Sequence, residues 1–555
     1  MRTKAPYPRT CLWILMALAF CIAGGVAAIT APVEGFVVDH ETGEGLSDVV
    51  VSDGATVART DLTGRFTLNI SDGARFVFVS WPDGYFPADP HSWYEQIADT
   101  ASYRFRFSIA AGESDLLVVQ LSDLHYAGSP EEFEQASNKW SMNVDVEAIL
   151  DTLIGEINEI SPDLVLLTGD IVADAKKPDL ALVEDWMDYV ATSFRGRIEA
   201  PLLGVVGNHD VVRDASIEKD LFREGFGPVY YSINAGGCHL VVLDTQQLDG
   251  TSLIYTVETR QLDWLRQDLA AADPRAPILV FCHEPTVDWD DTEANTQLLD
   301  VLAQAEISAL ITGHWHMNAV LQHEPFPVIT SGSVCGSWWD TDAPDGRRFG
   351  YRVWRVSRGS LESLWREIGE PGIDIVRPDS GVLQWRENLL ASVWGRAVTA
   401  VYAWDDLPER EAVVTWNGHW SNACSALSLF GLENGYHTLR VRFHMDDGET
   451  VARDQTFLVH EPEIAVQELQ DRTDVFLGRY VSARDIEVRA AMGEDFSATD
   501  GTSTVMVSRS LWEVARNDHI SVSGLLADFG MVLIKPFDPS RFLRIEQDDD
   551  AAEVP

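Results

Sequence analysis

Hydrophobic positions along this 555-residue chain change period several times, and each change marks a different kind of element. Over residues 32–110, short apolar runs such as Val49-Val50-Val51 and Arg65-Phe66-Thr67-Leu68 alternate with polar positions between Asp/Gly turns. That pattern predicts a small β-sandwich. Over 115–369, strand-length apolar runs recur at 116–121, 164–167, 202–206, 240–243, 278–281 and 309–311. Between the first two, Val146, Ile149, Leu150, Leu153, Ile154 and Ile157 repeat at helical spacing. Strands alternating with helices predict an α/β sheet domain. Strand patterning returns over 391–460, with runs at 413–418 and 435–441, and again over 461–546, with runs at 481–489, 503–507 and 520–526. The expected fold class is therefore multidomain, α/β plus all-β, with a second β-sandwich and a small barrel-like β-domain at the end.

Composition narrows the function classes. With 46% hydrophobic and 10% aromatic residues the chain is not largely disordered. Asp and Glu number 87 against 41 Lys and Arg, a net charge of −46, so no nucleic-acid partner is expected. The acidic excess is spread along the chain and reads equally as an aggregation-resistant surface or as adaptation to high salt. Arg2, Lys4 and Arg9 precede an apolar stretch over 11–28 that closes on Gly25-Val26-Ala27-Ala28. This is the pattern of a secretory signal peptide over 1–28, implying a secreted or periplasmic protein with no stable membrane insertion once the signal is removed. The alternative is an uncleaved N-terminal membrane anchor. Cys238, Cys282, Cys335 and Cys424 lie beyond the signal and are too few for a disulfide scaffold, although one bridge stays open. The last residues, 547–555, are acidic and expected to be a disordered tail.

The candidate chemistry lies at the end of each strand of the α/β segment. Successive runs deliver Asp123-Leu124-His125, Gly169-Asp170, Gly207-Asn208-His209-Asp210, His283-Glu284-Pro285 and Gly313-His314-Trp315-His316. The carboxyl ends of strands in α/β sheets form the site crevice, so five such ends can converge on one point. Mixed carboxylate and imidazole donors suit divalent transition ions. Seven candidate ligands exceed one tetrahedral site and suggest two ions with a shared bridge. The i, i+2 spacing in Asp123/His125 and His314/His316 puts each pair on one face of an extended segment.

These five motifs, in this order over 115–369, resemble the calcineurin-like metallophosphoesterase superfamily, in the form found in secreted bacterial members with β-rich accessory domains. The resemblance implies a central four-layer α/β/β/α domain flanked by β-sandwich and β-barrel-like modules. Asp123, His125 and His316 would hold one divalent ion, and Asn208, His283 and His314 a second, with Asp170 bridging. The ions would be Mn, Zn, Fe, Ni or Mg. They would lower the pKa of a bridging water, and the hydroxide would attack phosphorus. His209 matches the proton donor or transition-state contact, and Asp210 would orient it. Ala173 stands where the family's second Asp of Gly-Asp-x-x-Asp is expected, so no role passes to Asp174. Purple acid phosphatases place a Tyr near Ile171-Val172-Ala173, which disfavours that branch. The 32–110 segment resembles carboxypeptidase-regulatory-like modules, 391–460 an immunoglobulin- or fibronectin-like sandwich, and 461–546 an OB-like barrel.

The activity so implied is hydrolysis of small-molecule phosphate mono- or diesters by an exported enzyme. A nucleotide or cyclic-nucleotide phosphodiesterase is one alternative. A non-catalytic surface protein is the other, its β modules holding a glycan or cell-surface partner on a phosphoesterase scaffold. Trp315, Trp338 and Trp339 are candidates to line the substrate cleft, with core packing the competing role. Asp244 is expected to be structural, His239 a surface or core residue, and Arg347 and Arg348 a solvated pair, with phosphate binding the alternative. Strand alternation turns Cys282 away from His283.

Overall fold

The computed structural model describes residues 32–535, apart from 99–101, 111–114, 138–141, 177–178, 322–324, 358–359, 379–381, 384–385, 430, 460–463, 478, 493–494, 502, 508–515, 517–518 and 529–531. The expected signal at 1–28 and acidic tail at 547–555 lie outside the described residues. Among the described residues, no helix is long and apolar enough to cross a membrane.

The leading segment forms two four-stranded sheets. One runs in the order Arg65–Leu68, Val33–Asp39, Ser102–Ile109, Tyr85–Pro87; the other runs Val57–Arg59, Val50–Ser52, Phe76–Val79, Tyr94–Gln96. Alternation decides the faces: Tyr103, Phe105 and Phe107 are buried, whereas Ser102, Arg104 and Arg106 are exposed.

The α/β segment contains a five-stranded and a six-stranded sheet. In the first, Leu202–Val205, Leu164–Thr168 and Leu116–Leu121 are parallel neighbours, flanked by the antiparallel Gly350–Ser357 and Ser360–Glu367. In the second, Cys238–Val242, Ile278–Phe281, Ala309–Thr312 and Val328–Thr330 are parallel, edged by antiparallel Tyr231–Ala235 and Ala319–Leu321. The continuous apolar run of Leu116–Leu121 is explained by burial on both faces. Leu116 and Val118 share a core with Val241 and Leu279 of the second sheet. Leu117, Val119 and Leu121 share another with the helices Val146–Ile160 and Leu180–Arg197. The first of these helices buries Val146, Leu150, Leu153, Ile154, Ile157 and Ile160. Asp145 caps it by accepting from the Ala148 amide at 3.1 Å, and Ser161 closes it in the left-handed conformation.

The leading sandwich shares a core with the second sheet. Phe78 meets Trp264 edge-on at 6.3 Å, and Trp93 lies 4.7 Å from Tyr231. A buried polar chain crosses the same seam. Ser80 Oγ is 2.6 Å from Ser232 Oγ, which donates to Asp268 Oδ1 at 2.6 Å. His239 bridges Asp268 Oδ2 and Asn234 Oδ1, both at 2.8 Å, and Asn234 Nδ2 donates to the Trp81 carbonyl at 2.9 Å.

Beyond the α/β segment, an eight-stranded sheet begins with Ile373–Arg377, upstream of the expected start at 391, and a closed barrel of five strands spans Tyr480–Met492 to Val532–Lys535. Arg347 is not the solvated residue expected from sequence. It pairs with Asp374 at 2.9 Å and Asp345 at 3.8 Å, whereas Arg348 pairs with Glu370 at the surface.

Candidate metal centre

Five strand ends place the seven expected ligands together. Asp123, His125, Asp170 and Asn208 come just after parallel strands of the first sheet, and His283, His314 and His316 just after adjacent parallel strands of the second. The backbone there is unusual. Asp123, His125, Asp170, His314 and His316 all have left-handed φ, between 44° and 68°. Such conformations cost a non-glycine residue about 1–3 kcal/mol each and persist only where the surroundings enforce them. Gly169 has φ 90°, and a Cβ there would lie 2.3 Å from His283 Nδ1; at Gly313 a Cβ would lie 1.9 Å from Ser122 Oγ. Glycine is required at both because neighbouring side chains, joined at Gly169 by the Gly207 backbone, leave no room for a Cβ.

Hydrogen bonds at the rear of the rings fix what faces inward. His283 Nδ1 donates to the Thr168 carbonyl, His316 Nδ1 to Gly336 and His209 Nδ1 to Ala173, each at 2.7 Å. Their Nε2 lone pairs are thereby left for the centre. Inside it, His125 Nε2 and His316 Nε2 are 3.1 Å apart, and Asp170 Oδ2 is 3.1 Å from His283 Nε2 and 3.6 Å from His125 Nε2. Asp123 Oδ1 lies 3.5 Å from His316 Nε2 and 3.9 Å from His283 Nε2. His314 is turned the other way, with Nδ1 3.0 Å from Asn208 Oδ1. Electron-pair donors facing one another at these distances repel unless positive charge lies between them. The donor set thus fits divalent cations, and two of the ligand groups that satisfy metal-site spacing are Asp170/His283/His314 and His125/Asp170/His209.

Charge in the centre is unevenly held. Burial raises the Asp123 carboxyl, against the pull of His316 and His283. Burial would also raise Asp170, but His283 and His209 outweigh it and hold that carboxyl well below its ordinary value. Burial opposes protonation of His283, yet Asp170 prevails and the imidazole lies well above its usual range. Burial depresses His125 and His209. Of the two buried carboxyls, Asp170 is therefore the one held ionised by its histidine neighbours.

Three expected roles are corrected. Asp210 does not orient His209: its carboxylate accepts from Ile171 N at 2.8 Å, Val172 N at 3.2 Å and Gly207 N at 2.8 Å, stapling the Asp170 loop to the Asn208 loop. The His209 ring is set by the Ala173 carbonyl, with Asp174 4.0 Å away. Trp339 is fully buried, its indole donating to the Leu124 carbonyl at 2.9 Å, and Trp315 is buried with its indole on Asp288 at 2.5 Å. Neither indole is placed to line a cleft. Trp338 differs. Half-buried, it lies 3.9 Å from the His125 ring and 4.9 Å from His209. Both Trp338 and Trp339 have left-handed φ, near 60°, yet only Trp339 is fully buried.

Sequence reasoning passes over Asp288, which sits in a short turn after His283, and the Glu284 carboxyl, which accepts from Thr245 Oγ1 and Gln246 Nε2 behind the centre. Burial pushes Glu284 up to about 7. Cys282 Sγ donates to the Glu284 carbonyl at 3.1 Å, and burial raises its thiol well above the ordinary value, which leaves it inert. All four described cysteines are free.

Two family models match this chain. Residues 116–318 match the model for calcineurin-like phosphoesterase, and residues 31–111 match the model for the N terminal of calcineurin-like phosphoesterase. The chain belongs to the calcineurin-like phosphoesterases. It is a metal-dependent phosphoric ester hydrolase of that family. A cAMP/cGMP dual specificity phosphodiesterase of Mycobacterium tuberculosis is 27% identical over 244 residues, covering 42% of this chain and 72% of the relative. A probable cyclic nucleotide phosphodiesterase of Rhodococcus erythropolis is 27% identical over 39% of this chain and 70% of its own length. The serine/threonine-protein phosphatase CPPED1 of Rattus norvegicus is 30% identical over 24% of this chain and 48% of its own.

Proposed function

We propose that this phosphoesterase is exported and hydrolyses a phosphate mono- or diester at two divalent ions. Asp123, His125 and His316 hold one, Asn208, His283 and His314 the other, and Asp170 bridges. The observation that carries this reading is the convergence of all seven side chains, with ring nitrogens already freed by bonds to backbone carbonyls. Ions held there would activate water and neutralise charge developing on the phosphoryl oxygens. His209 lies beside His125 and Trp338, where it would protonate the departing oxygen or stabilise the charge on it. Trp338 walls the site where the leaving group would rest. The layered arrangement of helices outside two packed sheets, with β modules before and after, belongs to the same reading.

Cyclic nucleotides are the second reading, favoured by the activities for which the two bacterial relatives are named. A purely binding role is disfavoured because the ligand set is complete. Hydrolysis of para-nitrophenyl phosphate and bis-para-nitrophenyl phosphate, by metal-stripped protein with Mn, Zn, Fe, Ni or Mg restored, tests the reading. Activity should return with metal and be absent in Asp170→Asn. Failure with every ion, in protein that also binds no metal, would move the search to ligands of the β modules.

A further inference from the structure

We propose that Asp288 is a positioning residue that fixes the ring orientation and tautomer of His314, and so builds one of the two ion sites. The inference rests on the two-ion reading above. Asp288 lies in the short helical turn Thr286–Asp288, immediately after the strand end that delivers His283. The turn is held by Asp288 N donating to the Pro285 carbonyl at 2.9 Å and by Trp289 Nε1 donating to the Glu284 carbonyl at 3.1 Å. The Asp288 side chain is 1% exposed, and its Oδ2 lies 3.7 Å from His314 Nε2.

That separation is a close approach rather than a hydrogen bond. In a buried setting it still decides the tautomer. With the proton on Nδ1, the Nε2 lone pair would face a desolvated carboxylate. With the proton on Nε2, the charge is complemented and Nδ1 is left as the electron-pair donor, 3.0 Å from Asn208 Oδ1. The His314 ring meets the His283 ring edge-on at 5.1 Å, and His314 groups with Asp170 and His283 at metal-ligand spacing. The same Asp288 oxygen accepts the Trp315 indole at 2.5 Å, so it is anchored from the residue next to His314. One turn thereby couples two neighbouring strand ends: the first gives His283 as a ligand, and its turn aims the ligand of the second. Carboxylates behind metal-binding imidazoles act in this way, and losing one costs about 10–100-fold in metal affinity.

The test is metal stoichiometry and affinity of the full-length protein, read by elemental analysis after equilibration against graded chelator with Mn or Zn. Wild type should retain two ions where Asp288→Ala and Asp288→Asn retain one, with affinity for the lost ion down at least tenfold. Asp288→Asn keeps volume and an acceptor for the indole, so it guards against an unfolded Asp288→Ala. Trp315→Phe removes the indole donor but keeps Asp288, and should retain two ions. Two ions at unchanged affinity in both Asp288 variants would overturn the proposal. So would loss of an ion in Trp315→Phe equal to that in Asp288→Ala, which would make Asp288 a packing residue only. A wild-type protein that binds fewer than two ions would instead sink the two-ion reading, and this inference with it.

Discussion

His209 occupies a position that separates proton transfer from metal binding. Its Nδ1 is committed to the Ala173 carbonyl, and its backbone amide donates to Asp170 Oδ1 at 2.7 Å. A substitution therefore removes the ring without removing a member of the proposed ligand set. If the ring protonates the departing oxygen, His209→Ala should slow alkyl phosphate esters by about 10²–10⁴-fold. It should have a far smaller effect on para-nitrophenyl esters, whose leaving group needs no proton. Equal loss on both substrates in steady-state assays would assign His209 to charge stabilisation instead. At this scale much of the site is legible in the sequence, because each ligand comes after an apolar run and carries its own local motif. Asp210 misleads for the opposite reason. Its adjacency to His209 suggests a partnership, whereas the folded loop sends its carboxylate back to three amides. Asp288 leaves no signal, since a carboxylate five residues past His283 gains meaning only when the neighbouring strand brings His314 beside it.

Elements matter through their seams. His91 lies between two strands of the leading sandwich and faces Arg195 of the helix Leu180–Arg197. Burial, with Arg195 adding repulsion, pushes its imidazole down to about 4. An unfolded chain would bind that proton near pH 6.5. The unfolded state thus takes up a proton that the folded state refuses, and the contribution of His91 is complete above pH 6.5 and lost as pH falls toward 4. Melting temperature measured across that window should fall less steeply in His91→Gln than in wild type. Parallel slopes would show that the acid sensitivity resides elsewhere. The strand ends and the amphipathic helix Val146–Ile160 are readable from period alone. The Trp338-Trp339 turn is not, because two identical side chains at successive left-handed positions are told apart only by what the fold packs against each.

At the level of the whole molecule, the polar chain from Ser80 to Trp81 through Ser232, Asp268, His239 and Asn234 ties the leading sandwich to the second sheet. Asp268→Ala would leave Ser232 and His239 buried without their acceptor, a loss of about 1–3 kcal/mol for a buried donor left unpaired. A shift of the urea midpoint corresponding to that loss is expected, and a midpoint within about 0.5 kcal/mol of wild type would show that water replaces the carboxylate. The charge of −46 acts over the entire surface. Raising NaCl from about 0.01 M to 1 M shortens the screening length from about 30 Å to 3 Å, so melting temperature should rise with salt. A fall would mean that the acids are compensated locally. The shared core has a further consequence for dissection of the chain. A fragment cut at residue 115 would expose Trp264, Tyr231 and the aliphatic face around them to water, so the strand ends that gather the ligands should lose stability when the leading module is removed.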